Sequence, residues 1–449
     1  MNRKILLLVL FFPVLLLNAQ CFTNAVSSEG TIILRKSDGT LWARGDNNTG
    51  LVGNGTTEDV VELIQIGSDS DWSNEFCAVQ DRAYAIKQNG TLWYWGGIIN
   101  PLLPTQIGTD TDWLKVNASS YAVAAIKSNG TLWTMGKNSN GVLGIGNSDD
   151  NYTVNNPIQV GSDNDWKLIF SGANNFYALK TNNTLWSWGS ELALGYQVTT
   201  NSDYSFPHQI GEDTWKTIAG CFGKTFGIKT DGALYGWGYD LQHLISSNDY
   251  NFIPIQIGTD TDWKLIDPAQ NFVIGLKENH TRWGWGSNWQ YNLGTGNITD
   301  ISQPTQLDSA RDWEMINIDV NGTGHPSGIK QDGAHYIWKS IWPPLNNGVY
   351  QFPTPTVIFQ SCTLPTTNFD DELFKIHPNP LTNFSTMTFN EIQENTILNI
   401  FDLTGKKVMT DTCTGILYTL AKGNLKPGLY IIQLIDAAKK TTTKKLIIQ

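Results

Sequence analysis

The chain has 449 residues and a formal net charge of −11 at pH 7. This length allows more than one domain, and an acidic surface argues against nucleic acid as a partner, because phosphates need a basic face. The five cysteines show no zinc spacing, the six histidines fit no metal or Ser/His/Asp pattern, and no phosphate-binding loop is present. We therefore predict no catalytic residue, no metal ligand and no cofactor.

Residues 1–19 are typical of a secretory signal peptide. Arg3 and Lys4 precede an apolar run over residues 5–17, and the expected cleavage point lies between Ala19 and Gln20. An uncleaved anchor is the alternative, but the run is short for a membrane span. We expect no stable membrane span after the signal is removed.

One short motif is repeated seven times in residues 20–362. The aromatic residue that ends each copy recurs at a mean spacing of 49 residues, at Trp42, Trp93, Trp133, Trp186, Tyr235, Trp283 and Tyr336. A second landmark, usually Asp-Trp, alternates with it. Each copy pairs a short apolar segment with an aromatic, β-branched one across an Asn-Gly turn. Asn183 and His280 replace the turn glycine, and both residue types tolerate positive φ.

Strand repeats of about 40–50 residues predict propeller blades. In the repeat frame the chain begins one position after the last repeat stops, so we expect the N-terminal segment to complete the last blade. Cys21 and Cys362 would meet at that seam and could form a disulfide. Most of the repeated tryptophans are interpreted as packing between sheets.

The glycine-rich stretch from Gly136 to Gly146, with close copies at residues 45–55 and 286–296, supports a family assignment. Together with the repeated Gly-Thr-Leu-Trp it resembles the regulator of chromosome condensation repeat. That resemblance implies an all-β, seven-bladed β-propeller over residues 20–362. Some members of the family act as guanine-nucleotide exchange factors, an activity that we do not expect of an exported acidic chain.

Residues 363–369 are a plausible linker, and residues 370–449 contain no tryptophan. Their alternating strands predict a small C-terminal β-sandwich. The tail resembles the C-terminal sorting domain of the bacterial type IX secretion system, on the motif residues Pro378, Asn379, Pro380, Gly405, Lys406, Pro427, Gly428 and Tyr430. The resemblance implies contact with that machinery and a secreted or surface-attached bacterial protein that passes through the periplasm. An immunoglobulin-like module that stays on the protein is the alternative.

Two features could carry chemistry. Alternating aspartates such as Asp110 and Asp112 precede the second landmark, and they either close turns on their own backbone or hold a cation. Eight loop aromatics fall outside the repeat frame and either anchor a partner or pack their own loops: Tyr196, Tyr204, Phe206, Tyr239, Tyr250, Phe252, Trp289 and Tyr291.

The leading functional hypothesis is a non-enzymatic, exported binding scaffold for an extracellular protein or a surface glycan. The rival is an extracellular hydrolase that uses a carboxylate pair on one propeller face.

Overall fold

The structure is a computed structural model that describes residues 22–97, 101–147, 149–197, 204–318, 326–340, 351–359, 374–402, 407–435 and 441–448. It contains two compact units, one within residues 20–362 and one within residues 363–449. The signal segment, the linker, Cys21, Cys362, Gly405 and Lys406 lie outside the described residues. No helix in the described part is long and apolar enough to cross a membrane.

The first unit consists of antiparallel sheets, each built from four consecutive strands. We call these sheets blades 1 to 7. Blade 1 contains β1 Phe22–Ser28, β2 Thr31–Lys36, β3 Leu41–Gly45 and β4 Val60–Gln65; blade 2 contains β5 Trp72–Val79, β6 Arg82–Lys87, β7 Leu92–Gly96 and β8 Thr105–Ile107; and blade 3 contains β9 Trp113–Ala118, β10 Ala122–Lys127, β11 Leu132–Lys137 and β12 Thr153–Gln159. Blade 4 contains β13 Trp166–Ser171, β14 Asn175–Lys180, β15 Thr184–Gly189 and the first part of β16 His208–Cys221, and blade 5 contains the last part of β16 with β17 Lys224–Lys229, β18 Leu234–Tyr239 and β19 Tyr250–Gln256. Blade 6 contains β20 Trp263–Pro268, β21 Phe272–Lys277, β22 Arg282–Gly286 and β23 Ile301–Gln306, and blade 7 contains β24 Trp313–Asn317, β25 Ser327–Lys330, β26 His335–Ser340 and β27 Gln351–Phe359. Three short 3-10 turns lie at Ser139–Gly141, Glu191–Ala193 and Trp289–Tyr291.

Strand β16 belongs to two blades, because its first part pairs with β15 and its part from Trp215 onward pairs with β17. Every neighbouring pair of blades shares a cluster of buried apolar side chains, and a further cluster joins blade 7 to blade 1. The blades therefore close into a ring, and the predicted all-β, seven-bladed propeller is confirmed.

The seam between the first and last blades is closed by packing. Phe22 lies 5.4 Å from Phe359 between ring centroids, and the Ser27 hydroxyl donates to the Asn317 side chain at 2.7 Å. The expectation that the N-terminal segment completes the last blade is wrong, because blades 1 and 7 each consist of four consecutive strands. The Cys21–Cys362 disulfide stays a prediction, since both cysteines lie outside the described residues.

The repeated motif is a hydrogen-bond relay that fixes the turn between the second and third strands of a blade. In blade 3 the Asn129 side-chain amide oxygen accepts from the Thr131 hydroxyl at 2.7 Å, and that hydroxyl accepts from the Trp133 indole N–H at 2.8 Å. Asn183 and His280 have φ of 64° and 62°, so the prediction that they replace glycine in a positive-φ turn is confirmed.

Neighbouring blades are joined by a second tryptophan, two residues after the first. The Trp188 indole N–H donates to the Val142 carbonyl of the preceding blade at 2.8 Å, and Trp95, Trp237, Trp285 and Trp338 make the equivalent bond. These indoles are fully buried, whereas the landmark aromatics are half-buried. Gly144 sits directly on the Trp188 ring with φ of 68°, so a side chain there would meet the indole.

The second unit is a five-stranded sheet of β28 Phe374–His377, β29 Phe384–Asp402, β30 Lys407–Ala421, β31 Gly428–Ile435 and β32 Thr441–Ile448. The first part of β29 pairs with β28, its last part pairs with β31, and β30 runs along its length. Met387 from the first part and Ile400 from the last are buried in one core. The predicted C-terminal β-unit is thus present.

His335 is a buried polar side chain at the seam of the ring. Its ring stacks on Phe359 at 5.8 Å and approaches Phe22 at 6.5 Å, and neither ring nitrogen has a hydrogen-bond partner within the described part of the chain. Burial, with a smaller contribution from the Arg44 charge, lowers the pKa of His335 to about 3. The repeat frame places leucine at the same position in blades 1 to 5.

Replacing Gly144 by alanine should destabilise the propeller more than replacing Gly161. Both glycines have positive φ, but an alanine Cβ at residue 144 would lie 2.8 Å from the Trp188 indole, whereas residue 161 has nothing within 4 Å. We expect Gly161→Ala to cost about 1 kcal/mol of backbone strain and Gly144→Ala about 2–4 kcal/mol, because overpacking adds to the strain. Urea unfolding followed by tryptophan fluorescence measures the propeller alone, since the tail has no tryptophan. Equal losses would contradict the packing role of Gly144.

His335→Leu should remove an acid-sensitive element from the seam. The folded pKa of His335 lies below its unfolded value, so the unfolded chain takes up the proton first and stability is lost as the pH falls below about 6.5. The stability gap between His335→Leu and the wild type should therefore widen by about 2 kcal/mol between pH 8 and pH 5. The exposed His208→Gln variant is the control. A gap that stays constant with pH would show that His335 does not titrate this way.

Candidate functional site

The ring presents two faces with different chemistry. One face, the turn face, carries the turns between the second and third strands of each blade and the segments that join one blade to the next. The other, the loop face, carries the turns between first and second strands and the longer loops between third and fourth strands. Antiparallel pairing places these two sets of connections at opposite ends of the strands.

The alternating aspartates lie on the turn face, where each set holds a lysine. In blade 3 the Lys127 ammonium contacts Asp110 at 2.7 Å and Asp112 at 3.1 Å, and it lies 4.8 Å from the ring centroids of both Trp113 and Trp133. The same lysine clamp recurs at Lys87, Lys180, Lys229, Lys277 and Lys330, with one or two aspartates each. Ammonium, carboxylates and indoles thus stabilise one another.

The lysine contacts show which groups the paired aspartates bind. Burial alone would lower the pKa of Lys127, but the hydrogen bonds and charges of Asp110 and Asp112 raise it above its ordinary value. The carboxylate pair that could have bound a cation is therefore already occupied by the Lys127 ammonium, which offsets one of its two charges. No cluster of three or more acidic, histidine or cysteine ligands exists among the described residues.

On the loop face, a buried amide or carboxylate organises each well-formed loop. The Asn138 side chain accepts from the Leu143 N–H at 3.1 Å and donates to the Asn147 carbonyl at 2.6 Å. Asn47 and Asn288 do the same in blades 1 and 6, and the Asp240 carboxylate accepts from three N–H groups in blade 5. The loops are therefore fixed from within, which makes them a firm support for exposed side chains.

Three of the eight predicted loop aromatics come together on this face. Tyr239 lies 6.5 Å from Tyr250, and Tyr250 lies 4.2 Å from Phe252 between ring centroids. The Tyr250 hydroxyl donates to the Glu191 carbonyl of blade 4 at 3.2 Å, which locks the middle ring in place. Tyr239 and Phe252 remain 42% and 50% exposed.

Two apolar side chains extend this row. Leu192 and Tyr239 both flank Gly223, each about 3.5 Å from the position of its missing Cβ, and Phe222 precedes that glycine in the same turn. Leu192 is 44% and Phe222 42% exposed. We call Leu192, Phe222, Tyr239, Tyr250 and Phe252 the blade 4–5 patch.

The other five aromatics do not join the patch by any described ring contact. Phe206 covers Gly146 and Tyr204 contacts Gly141, so both pack against the loop of blade 3. The Tyr196 ring lies 5.5 Å from that of His208 at an interplanar angle of 48°, and it borders the core. The last two, Trp289 and Tyr291, occupy the 3-10 turn of blade 6, where Trp289 is 60% exposed and Tyr291 is half-buried.

Comparisons with known proteins agree with this architecture. The model of the regulator of chromosome condensation (RCC1) repeat matches residues 129–179, and that of the secretion system C-terminal sorting domain matches residues 375–449. The propeller therefore contains a segment that matches an RCC1 repeat, and the tail unit matches a secretion sorting domain. Both sequence resemblances are confirmed. No curated protein sequence gave a significant match.

Two solved structures have a fold similar to that of this propeller. Prp20p from Saccharomyces cerevisiae, described with its binding to Gsp1p and histones, has 17% identity and a TM-score of 0.59, over 68% of this chain and 82% of its own. Human WBSCR16 has 16% identity and a TM-score of 0.59, over 69% of this chain and 87% of its own. At such identities the likeness concerns the fold alone.

In the sorting tail, the described motif residues have structural roles. The Asn379 side chain accepts from the Ile447 N–H at 2.9 Å, which ties the segment before β29 to the last strand. Pro427 and Gly428 form the entry to β31, and the Tyr430 hydroxyl donates to the Lys426 carbonyl at 3.0 Å. The motif therefore closes the tail unit on itself.

Sequence reasoning missed Leu192 and Phe222. Leu192 lies in a poorly repeated loop, and Phe222 is a large apolar residue in a two-residue turn, whereas the equivalent turns of blades 3 and 6 bury only small residues such as Ser119 and Ala269. That second feature is a signal that the sequence did contain.

Lys127→Met should weaken the propeller, and calcium should not restore it. The variant keeps the length of the side chain but leaves two carboxylates against two indoles, so we expect a loss of about 1–3 kcal/mol, typical of a hydrogen-bonded charge. Millimolar calcium or a chelator should leave the unfolding midpoint of the wild type unchanged. Lys167→Met, at an exposed lysine bonded to Asn183, is the matched control. Calcium stabilisation of the wild type would contradict the lysine clamp as the occupant of these carboxylates.

Proposed function

We propose that this protein is a non-enzymatic, exported binding scaffold that holds an extracellular protein or a surface glycan on its loop face. The sorting tail supports delivery through the type IX route to the cell surface or the medium. The observation that carries the proposal is the blade 4–5 patch, in which exposed apolar side chains from two blades lie side by side on fixed loops.

The physics of the patch favours a binding role. Exposed aromatic side chains give a large contact area at a low cost in conformational entropy, and they dominate the energetics of many interfaces. Here the middle ring is already held by the bond from Tyr250 to the backbone of Glu191. Docking of a partner would immobilise few additional side chains, so most of the contact energy would remain available for binding.

The hydrolase alternative finds less support. Such an enzyme needs two carboxylates that face a substrate, and the recurrent carboxylate pairs of the turn face contact lysines instead. The family resemblance does not assign exchange activity to this chain, since a shared fold does not carry function.

Immobilised mature protein should retain material from surface extracts of the producing bacterium. Tyr239→Ala/Phe252→Ala should lose at least about tenfold in retention, because losing two exposed anchors at about 1 kcal/mol each corresponds to that factor. Trp289→Ala, a similarly exposed aromatic in another blade, should retain the wild-type amount. Release of sugars or peptides from the same extract is measured in parallel. Turnover by the wild type, or equal retention by the patch variant, would refute the proposal.

A further inference from the structure

The interface between blades 2 and 3 combines a missing indole with a short loop, whereas blade 1, the other blade without the indole, has Arg44 in its place. Blade 3 carries Met135 where five other blades carry the buried indole that bonds to the preceding loop. Blade 2 has eight residues, 97–104, between β7 and β8, whereas blade 1 has fourteen, 46–59, between β3 and β4. The side chain that inserts between blades and the loop that receives it therefore both differ at this interface.

The described part of this loop that precedes β8 contacts the loop of blade 1. The Leu102 side chain lies on Gly50, and the Leu102 carbonyl accepts from the Gly55 N–H at 3.0 Å. Among the described residues, a groove of about 410 Å³ lies between blades 2 and 3, and Met135 is part of its lining.

The walls of the groove are strands, and their side chains are aromatic and polar. Tyr84 and Tyr94 stack at 6.4 Å with an interplanar angle of 20°, and Tyr121 enters from the first turn of blade 3 with 40% exposure. Asn155 and Asn156 on β12 line the opposite side and are exposed. The volume lies within the range of ligand sites, which is about 300–1,000 Å³.

The charge inside the groove is balanced. Arg82 is the ionised side chain of the lining, and its guanidinium bonds the neighbouring Asp81 at 3.1 Å. The Tyr84 hydroxyl also bonds Arg82, and this contact, with Asp81, outweighs burial and raises the pKa of the arginine. A ligand that matches this lining is polar and uncharged.

We propose that the groove between blades 2 and 3 binds a neutral saccharide unit. The C–H face of a sugar ring fits against a tyrosine ring, and its neighbouring hydroxyls can both donate to and accept from the side-chain amides of Asn155 and Asn156. The site deepens the proposed binding role by naming a ligand class, and it lies on a different pair of blades from the blade 4–5 patch.

The test is saturation-transfer NMR on the purified mature protein. The probes are the methyl glycosides of glucose, galactose, mannose and N-acetylglucosamine, with glucuronic acid as the charged comparison and a neutral tripeptide as the peptide comparison. At least one glycoside should show transfer, and neither comparison should match it. Met135→Trp should abolish the signal, since it restores the indole of the other blades and fills the groove.

A second variant keeps the test valid if tryptophan is not accommodated at residue 135. Tyr121→Ala/Asn155→Ala should weaken binding about tenfold or more, as expected if each contact contributes about 1 kcal/mol. Tyr152→Ala, an exposed tyrosine of blade 3 that does not line the groove, should bind as the wild type does, and so should Tyr239→Ala/Phe252→Ala. No transfer from any glycoside, preference for the acid or the peptide, or transfer that the groove variants leave unchanged would overturn the proposal. The proposed role of the blade 4–5 patch would stand or fall separately, on its own variants.

Discussion

Five of the seven blade interfaces share one contact on which the packing of the ring rests: an indole that donates to the carbonyl of the preceding loop and, in four of them, packs against a glycine of that loop. A four-stranded sheet with two apolar faces cannot bury both alone, so each blade needs its neighbours. The indole sets the distance between blades, and the positive φ of a residue such as Gly144 lets the backbone approach the ring. Because the loop is part of this contact, the loop face is held as firmly as the core.

The two faces of the ring use their polar groups differently. On the turn face the recurrent charges pair with one another, since each clamp lysine contacts at least one aspartate and packs against aromatic rings. A substitution there would break a repeated structural unit. On the loop face the buried asparagine fixes the loop from inside, and the outer side chains are free to differ between blades. Differences between repeats therefore accumulate where a partner can reach them.

The sequence predicted the repeat architecture because its signals are local. Asn183 and His280 indicated the turn by their tolerance of positive φ, and the aromatic, β-branched segments indicated the strands. The seam was predicted wrongly, because alignment in a repeat frame shows where the chain starts and not which sheet a strand joins. The blade 4–5 patch could be predicted only in part: Tyr239, Tyr250 and Phe252 were singled out by residue type, but their contact with Leu192 crosses about fifty residues of sequence. Neither hydropathy nor period reports such a contact.

The free-energy cost of a cavity explains why the groove between blades 2 and 3 is open to water. At about 24 cal/mol per Å³, a closed apolar void of this volume would cost about 10 kcal/mol, as much as the whole stability of many domains. The propeller avoids that cost because Tyr121, Asn155 and Asn156 open the groove to water and supply it with polar groups. A hydrated recess with rigid aromatic walls loses little on exchanging its water for hydroxyl groups, and it gains the contact of a sugar ring with tyrosine. The irregular interface therefore persists without the cost of a dry cavity, and its open recess is accessible to the proposed saccharide.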